Sequence, residues 1–392
     1  MSGGPDAVCR EDRHLCLCTQ APCSTTQRVN HKGWAALRSR ASRPPKLQAN
    51  APRSCSSGTV KHKDAGRNGL TSVNCPCFAF SSMHTSPRQK PELAYRTELG
   101  LMYKSRIESF IDSRHCSSQT GKIRLVLTSP PFPLNRKKKY GNLNGQDYVD
   151  WLSGLAEPLK RLLHPKGSIV LEMGNAWEPG QPVMSTLALE ALLAFLKAGD
   201  LKLCQQFICY NPARLPSPAQ WVNVERIRLK DAYTHVWWMS PTERPNADNT
   251  KVLKPYSEAM LKLLESKKYN SGKRPSEHNI GKTSFLKRNG GAIPSSVLTF
   301  SNTINHDSYL RYCRANSIQV HPARMPSGLA EFFIRFLTKR GDLVLDPFAG
   351  SNTTGAAAAR LQRKWIAVEA DDVYIQGSRG RFPNLIQQRT VA

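Results

Sequence analysis

Asp346-Pro347-Phe348-Ala349-Gly350-Ser351-Asn352-Thr353-Thr354-Gly355 follows the short apolar run Leu343-Val344-Leu345 and leads into an alanine-rich stretch through Leu361. The order is strand, tight glycine loop, helix. A second apolar run, Trp365 to Val368, ends at Glu369, 23 positions after Asp346. In open α/β sheets ligands sit beyond the carboxyl ends of the strands. A loop glycine there lets the backbone come close, and an acid about 20 residues on can accept hydrogen bonds from ribose hydroxyls. The stretch therefore points to the α/β class and makes Asp346, Pro347, Phe348, Gly350, Ser351, Thr353, Thr354 and Glu369 candidates for holding a nucleotide-like ligand. The plainer alternative is a strand–turn–helix junction capped by Ser351 or Thr353.

The loop is neither G-x-G-x-x-G nor a Gly-Lys-Ser/Thr phosphate cradle, so a triphosphate is disfavoured. An adenosine ligand without phosphates but with a charged amino-acid tail fits better, with Asp346 meeting the ammonium. S-adenosylmethionine is such a ligand. Working outward, Ile123 to Thr128 reads as a buried strand ended by Ser129-Pro130-Pro131-Phe132. Two successive prolines fix φ and remove two amide donors, so neighbouring carbonyls can be aimed rigidly. A planar amino group on a base needs such acceptors, and Phe132 can stack on the ring of a base that has left its duplex. Taken alone the tetrad could also be a proline-rich loop with Phe132 in the core.

Together these motifs resemble the amino-group DNA methyltransferases, which combine an (Asp/Asn/Ser)-Pro-Pro-(Tyr/Phe) tetrad with an Asp-Pro-Phe-x-Gly-Ser-x-Thr-Thr-Gly loop. The tetrad precedes the loop by 217 residues, which resembles the permuted, β-type order of the family. The resemblance covers about residues 92 to 382. It implies a doubly wound, Rossmann-like α/β sheet with an inserted target-recognition region and S-adenosylmethionine as cofactor. Ser129, Pro130, Pro131 and Phe132 become the expected catalytic residues. The Ser-Pro-Pro form is similar to the cytosine-N4 enzymes, with N6-adenine methylation on the same scaffold as the alternative. A catalytically silent DNA-binding relative is the reading from another class. The family order also implies that His321-Pro-Ala-Arg-Met-Pro326 forms one wall of the cofactor pocket, although His321 could equally be a core histidine.

Composition agrees with a nucleic-acid partner. Fifty-six Lys+Arg against 29 Asp+Glu leave a formal charge of +27, a field that favours polyanions through counterion release. Arg136, Lys137, Lys138 and Lys139 follow the tetrad closely, where they would hold phosphates of double-stranded DNA. No apolar run approaches the roughly 18 residues of a membrane span. No metal motif is visible, and no Pro-Cys loop follows a strand as C5 chemistry would need. The expected setting is cytoplasmic and nucleoid-associated, with pairing to a separately encoded restriction endonuclease. The oligomeric state is left open.

Four segments are expected. Residues 1–91 form an irregular, disordered basic extension, holding seven of the eleven cysteines. It superficially matches an organelle transit peptide or a misassigned start, with Met83 and Met102 as internal alternatives. Residues 92–240 form the catalytic half, with a helix over Tyr148 to Leu163, a turn at 165–167, and strands at Ser168 to Met173, Leu203 to Tyr210 and His235 to Met239. Residues 241–318 are the loop-rich recognition region, its Lys262 to Arg274 and Lys282 to Arg288 stretches suited to a DNA groove. Residues 319–385 are the S-adenosylmethionine-binding half. Trp221, Trp237 and Trp238 are expected to pack in the core.

Overall fold

The computed structural model describes residues 89–132, 143, 145–301, 307–383 and 385. Nearly all of the expected extension and the cluster Arg136, Lys137, Lys138 and Lys139 lie outside the described residues. The strands, in chain order, are β1 (Glu92–Arg96), β2 (Gly100–Lys104), β3 (Ile123–Thr128), β4 (Leu163–Gly174), β5 (Lys202–Tyr210), β6 (Tyr233–Ser240), β7 (Gly272–Lys273), β8 (Asn279–Ile280), β9 (Val297–Thr299), β10 (Leu343–Asp346) and β11 (Lys364–Glu369). Nine of them form one sheet in the order β1-β2-β11-β10-β3-β4-β6-β5-β9, while β7 and β8 pair as a separate hairpin. The run β2-β11-β10-β3-β4 is parallel throughout. Antiparallel β1 closes one side, and β6 and β5 add an antiparallel extension at the other.

The strand sequences explain this arrangement. Val126, Ile169, Leu171, Leu345, Ile366 and Val368 face one apolar layer, which includes residues of the helices Gly145–Gly154, Ala156–Leu162 and Leu187–Ala198. Their neighbours Leu125, Leu127, Val170, Val344, Trp365 and Ala367 face the other, with the helices Ser327–Leu337 and Thr353–Arg360. Strands covered on both sides must be apolar at every position, hence the near-continuous hydrophobic runs. A register slip of one residue would exchange the two sets of side chains, so the layers fix the pairing.

Three local differences have physical causes. The single helix expected over Tyr148 to Leu163 is two, because Pro158 has no N–H to offer the Gly154 carbonyl. Leu155 N instead closes a tight turn on Leu152 O at 3.1 Å, and Pro158 sits in the first turn of the next helix, where no donor is missed. The turn expected at 165–167 lies within β4 as a bulge, since Leu163 pairs with Ile123 and Ser168 with Leu125. Within 241–318, the helix Glu258–Ser266 and the β7–β8 hairpin stand as local elements, but β9 adds in parallel to β5 at the edge of the main sheet. Trp237 and Trp238 are buried, whereas Trp221 is half-buried and stacks on Trp177.

One topological feature positions everything that follows. From β10 the chain crosses through the helix Thr353–Arg360 to β11, on one side of β10. From β3 it crosses through the opposite helical layer to β4, on the other side. Thus β10 and β3 are adjacent strands whose connections diverge, which opens a crevice at their carboxyl ends.

Candidate active site

Both sequence motifs emerge at that crevice, the glycine loop from β10 and the Ser-Pro-Pro-Phe tetrad from β3. They are tied together directly. Thr128, the last residue of β3, donates its hydroxyl to Asp346 Oδ1 at 2.6 Å, so Ser129 directly follows a side chain bonded to the residue that opens the glycine loop. The Asp346 carboxylate also accepts the Phe348 amide at 3.2 Å. The buried Thr354 hydroxyl stands near the same carboxylate but forms no hydrogen bond of normal geometry. Burial pushes the Asp346 acid up to about 6, against the opposing pull of the Thr128 hydroxyl and the Phe348 amide.

Glu369 ends β11 on the other flank of the loop. Its Oε2 accepts Gly350 N at 2.7 Å, and its Oε1 accepts the amides of Ala370 and Asp371, both at 2.9 Å. Burial raises its pKa while these three amides lower it. A carboxylate offers about four acceptor positions, so three amides leave room for about one further hydrogen bond. The carboxylate also locks Gly350 in place. Gly350 has φ +49° and lies against His321, whose Nε2 would stand 2.9 Å from an added Cβ. His321 packs edge-on to Tyr374 at 4.3 Å, and its amide donates to the Tyr309 hydroxyl at 2.8 Å.

The remaining loop residues look inward. Ser351, Thr353 and Thr354 are buried, with Ser351 Oγ and Thr353 Oγ1 3.2 Å apart. The helix cap is neither Ser351 nor Thr353 but Asn352, at φ +53°, whose Oδ1 accepts Gly355 N at 3.0 Å. Its amide donates to the Tyr95 hydroxyl at 3.1 Å, fixing the loop to β1. Pro347 is buried, and Phe348 is half-buried and packs on Trp151 at 5.6 Å.

At the tetrad, Pro130 is buried, and Ser129, Pro131 and Phe132 are half-buried. Phe132 lies over the end of β4: a Cβ on Gly174 would come within 2.8 Å of its ring, so only glycine permits this approach. Arg136, Lys137, Lys138 and Lys139 lie outside the described residues.

Besides Asn352, two groups outside the motifs escaped the sequence reading. Arg381, buried beside the loop, donates from Nε to Ser351 O at 2.6 Å and from Nη2 to Ser351 Oγ at 3.1 Å, and pairs with Asp307 at 3.0 Å. Arg324 approaches the same Asp307 at 3.7 Å, and both guanidinium groups lie over the Tyr309 ring. The other is Glu172, near the end of β4, buried and bonded to the Thr234 hydroxyl at 3.0 Å. Burial pushes it up to about 7, opposed by Thr234 and Arg214. A single acid within Ser168 to Met173 was the one available signal. Among the described residues no group of three or more His, Cys, Asp or Glu side chains could hold a metal ion, and no helix is long and apolar enough to cross a membrane.

Comparison with known proteins follows the same geography. Residues 123–379, from β3 to beyond β11, match a family profile described as DNA methylase. Over 295 residues the chain is 46% identical to Type II methyltransferase M.PvuII of Proteus hauseri, covering 74% of this chain and 85% of that one. It is 26% identical over 264 residues to Type II methyltransferase M.HpaI of Haemophilus parainfluenzae, covering 66% and 68% respectively. The solved structure of PvuII DNA methyltransferase (cytosine-N4-specific) superposes with a TM-score of 0.60 and 37% identity, over 77% of this chain and 91% of that chain.

Proposed function

The chain belongs to the DNA methylase family, and from that premise we propose that it transfers a methyl group from S-adenosylmethionine to the exocyclic N4 of a cytosine flipped out of double-stranded DNA. The observation that carries this reading is the hydrogen bond from Thr128 to Asp346, which holds the tetrad and the glycine loop as one unit at the crevice between β3 and β10. The naming of the solved neighbour as cytosine-N4-specific supports the choice of base, and the Ser-Pro-Pro-Phe tetrad agrees with it.

In this reading the cofactor occupies the crevice with its ribose toward Glu369 and its ammonium toward Asp346. Gly350 gives the backbone a close approach, and Phe348 forms an apolar wall. Pro347, Ser351, Thr353 and Thr354 act by shaping the loop, since their side chains are buried. S-adenosylmethionine supplies an electrophilic methyl on a sulfonium. The protein aligns nitrogen, methyl and sulfur, excludes water, and accepts the amino protons. The Ser129 hydroxyl oxygen and the Pro130 carbonyl receive those hydrogen bonds, Pro131 stiffens the turn, and Phe132 offers a face to the ring. The proton released on methylation passes to water or a nearby acceptor; Glu172, raised toward neutrality on the strand next to β3, is bonded to Thr234 on the β6 side.

Arg136, Lys137, Lys138 and Lys139, with the basic stretches of 241–318, hold the flanking phosphates. The segments 1–91, 92–240, 241–318 and 319–385 serve as extension, catalytic half, target recognition and cofactor half. The relatives' description as Type II methyltransferases supports pairing with a restriction endonuclease. Incubating the purified chain with methyl-labelled S-adenosylmethionine and plasmid DNA tests the proposal. Label should enter the DNA in wild type and not in Asp346→Ala. DNA that stays unlabelled with folded wild-type protein would overturn it.

A further inference from the structure

The segment joining β5 to β6, residues 211–232, displays side chains that folded proteins usually bury. Leu215, Val224 and Leu229 are 80%, 69% and 89% exposed, and Ile227 is also open. Isolated exposed leucines need no account, but a cluster in one short segment does. These residues border an open groove lined by Pro216, Val222, Asn223, Arg226, Leu229 and Lys230. The segment is anchored to the loop that follows β4. Trp221 stacks on Trp177 with centroids 6.0 Å apart, Arg228 Nε donates to Pro182 O at 2.9 Å, and Asn175 donates to Asp231 at 2.7 Å.

Its position is set by the sheet. Gly174 pairs with Thr234, Tyr210 with Tyr233, and Leu171 with Thr128. The segment therefore rises from the edge that carries Ser129, two strands away, or about 10 Å in the hydrogen-bonding direction. Its charge is set by sequence: Arg214, Arg226, Arg228 and Lys230 against Glu225 and Asp231. Three of these cations bond to backbone carbonyls and so keep their charge: Arg214 to Tyr233, Arg228 to Pro182 and Ile227, and Lys230 to Pro212.

Apolar tips set among cations on the sheet edge that carries Ser129 suit a duplex whose base has been drawn out. A second copy docked through the same patch would oppose like charges. We propose that residues 211–232 form a DNA-contacting lip, in which Arg226 and Lys230 meet phosphates while Ile227 and Leu229 enter the groove beside the vacated base position. The proposal rests on duplex DNA being the substrate and extends the contact surface beyond Arg136 to Lys139 and 241–318.

The test uses the full chain with plasmid DNA as probe. The double variant Ile227→Asp/Leu229→Asp changes only exposed side chains. Leu193→Asp, at a position 66% exposed on the helix Leu187–Ala198, serves as control. The double variant should bind plasmid at least tenfold more weakly, with the melting temperature and S-adenosylmethionine affinity of wild type, and the control should bind normally. Arg226→Ala/Lys230→Ala should lower the slope of log affinity on log salt by about two. A folded double variant that binds plasmid as wild type does would overturn the lip alone. So would a wild-type dimer that the double variant splits, since the patch would then join copies. Failure of wild type to bind plasmid would remove the DNA substrate and the lip together.

Discussion

Asp346 concentrates the electrostatics of the crevice in one side chain. Its acid is raised by burial from an ordinary 3.8 to about 6, so the folded protein holds the proton more tightly than the unfolded chain. The sign follows: this group favours folding at low pH, and the advantage is lost as pH rises through 6. At about 1.4 kcal/mol per unit the loss is roughly 3 kcal/mol. A cationic ligand that needs the ionised form restores part of it. Affinity for S-adenosylmethionine should therefore rise from pH 5 to pH 7 by about tenfold and level off above, with Glu369 acting in the same direction. Calorimetry at several pH values checks this, and a flat profile would separate Asp346 from the ammonium. In the proposed reading Ser129 has a different job, accepting a hydrogen bond from the reacting amine. Ser129→Ala should slow single-turnover transfer about a hundredfold while cofactor affinity holds. A wild-type rate would sink that role. At this scale the sequence pointed to Asp346, Glu369 and Ser129 by motif, but not to Arg381, Asn352 or Glu172. Arg381 reaches Ser351 across 30 residues of chain, and a single residue identity carries no sign of such a contact.

Two glycines separate the halves of the crevice at the level of loops and strands. Gly350 holds a positive φ beneath His321, and Gly174 lies under Phe132. Gly350→Ala forces a side chain into the left-handed region, at about 1 to 2 kcal/mol, and pushes against His321. It should lower the melting temperature and weaken S-adenosylmethionine at least tenfold. Gly174→Ala displaces Phe132 and should leave cofactor affinity intact while slowing transfer. Identical effects of the two variants on cofactor binding would contradict this division. Strands β3, β4, β10 and β11 were legible because burial on both faces makes each a nearly unbroken apolar run, whereas β1 and β2 were not singled out. The split at Pro158 and the bulge at 165–167 were less legible, since both depend on where the chain must go next. β9 escaped altogether: three residues in a polar stretch give no period to read, and only the exposed edge of β5 makes them a strand.

Over the whole molecule, the charge of +27 and the crevice at the β3–β10 boundary point to one kind of substrate. The fold class was readable from the order of elements alone. The sheet order was not, because the pairing of β3 with β10 joins segments more than 200 residues apart. Residues 1–89 lie outside the motif-bearing region, so a chain beginning at Lys90 should fold and methylate DNA at the full-length rate. Inactivity of a soluble, monodisperse shortened chain would make the extension part of the enzyme. The central claim, that this crevice methylates a flipped cytosine, is tested most directly by the product. Plasmid DNA treated with the purified chain and methyl-labelled S-adenosylmethionine is digested to nucleosides and resolved by mass spectrometry. The label should appear in N4-methylcytosine; label recovered only in N6-methyladenine would contradict the account of the base.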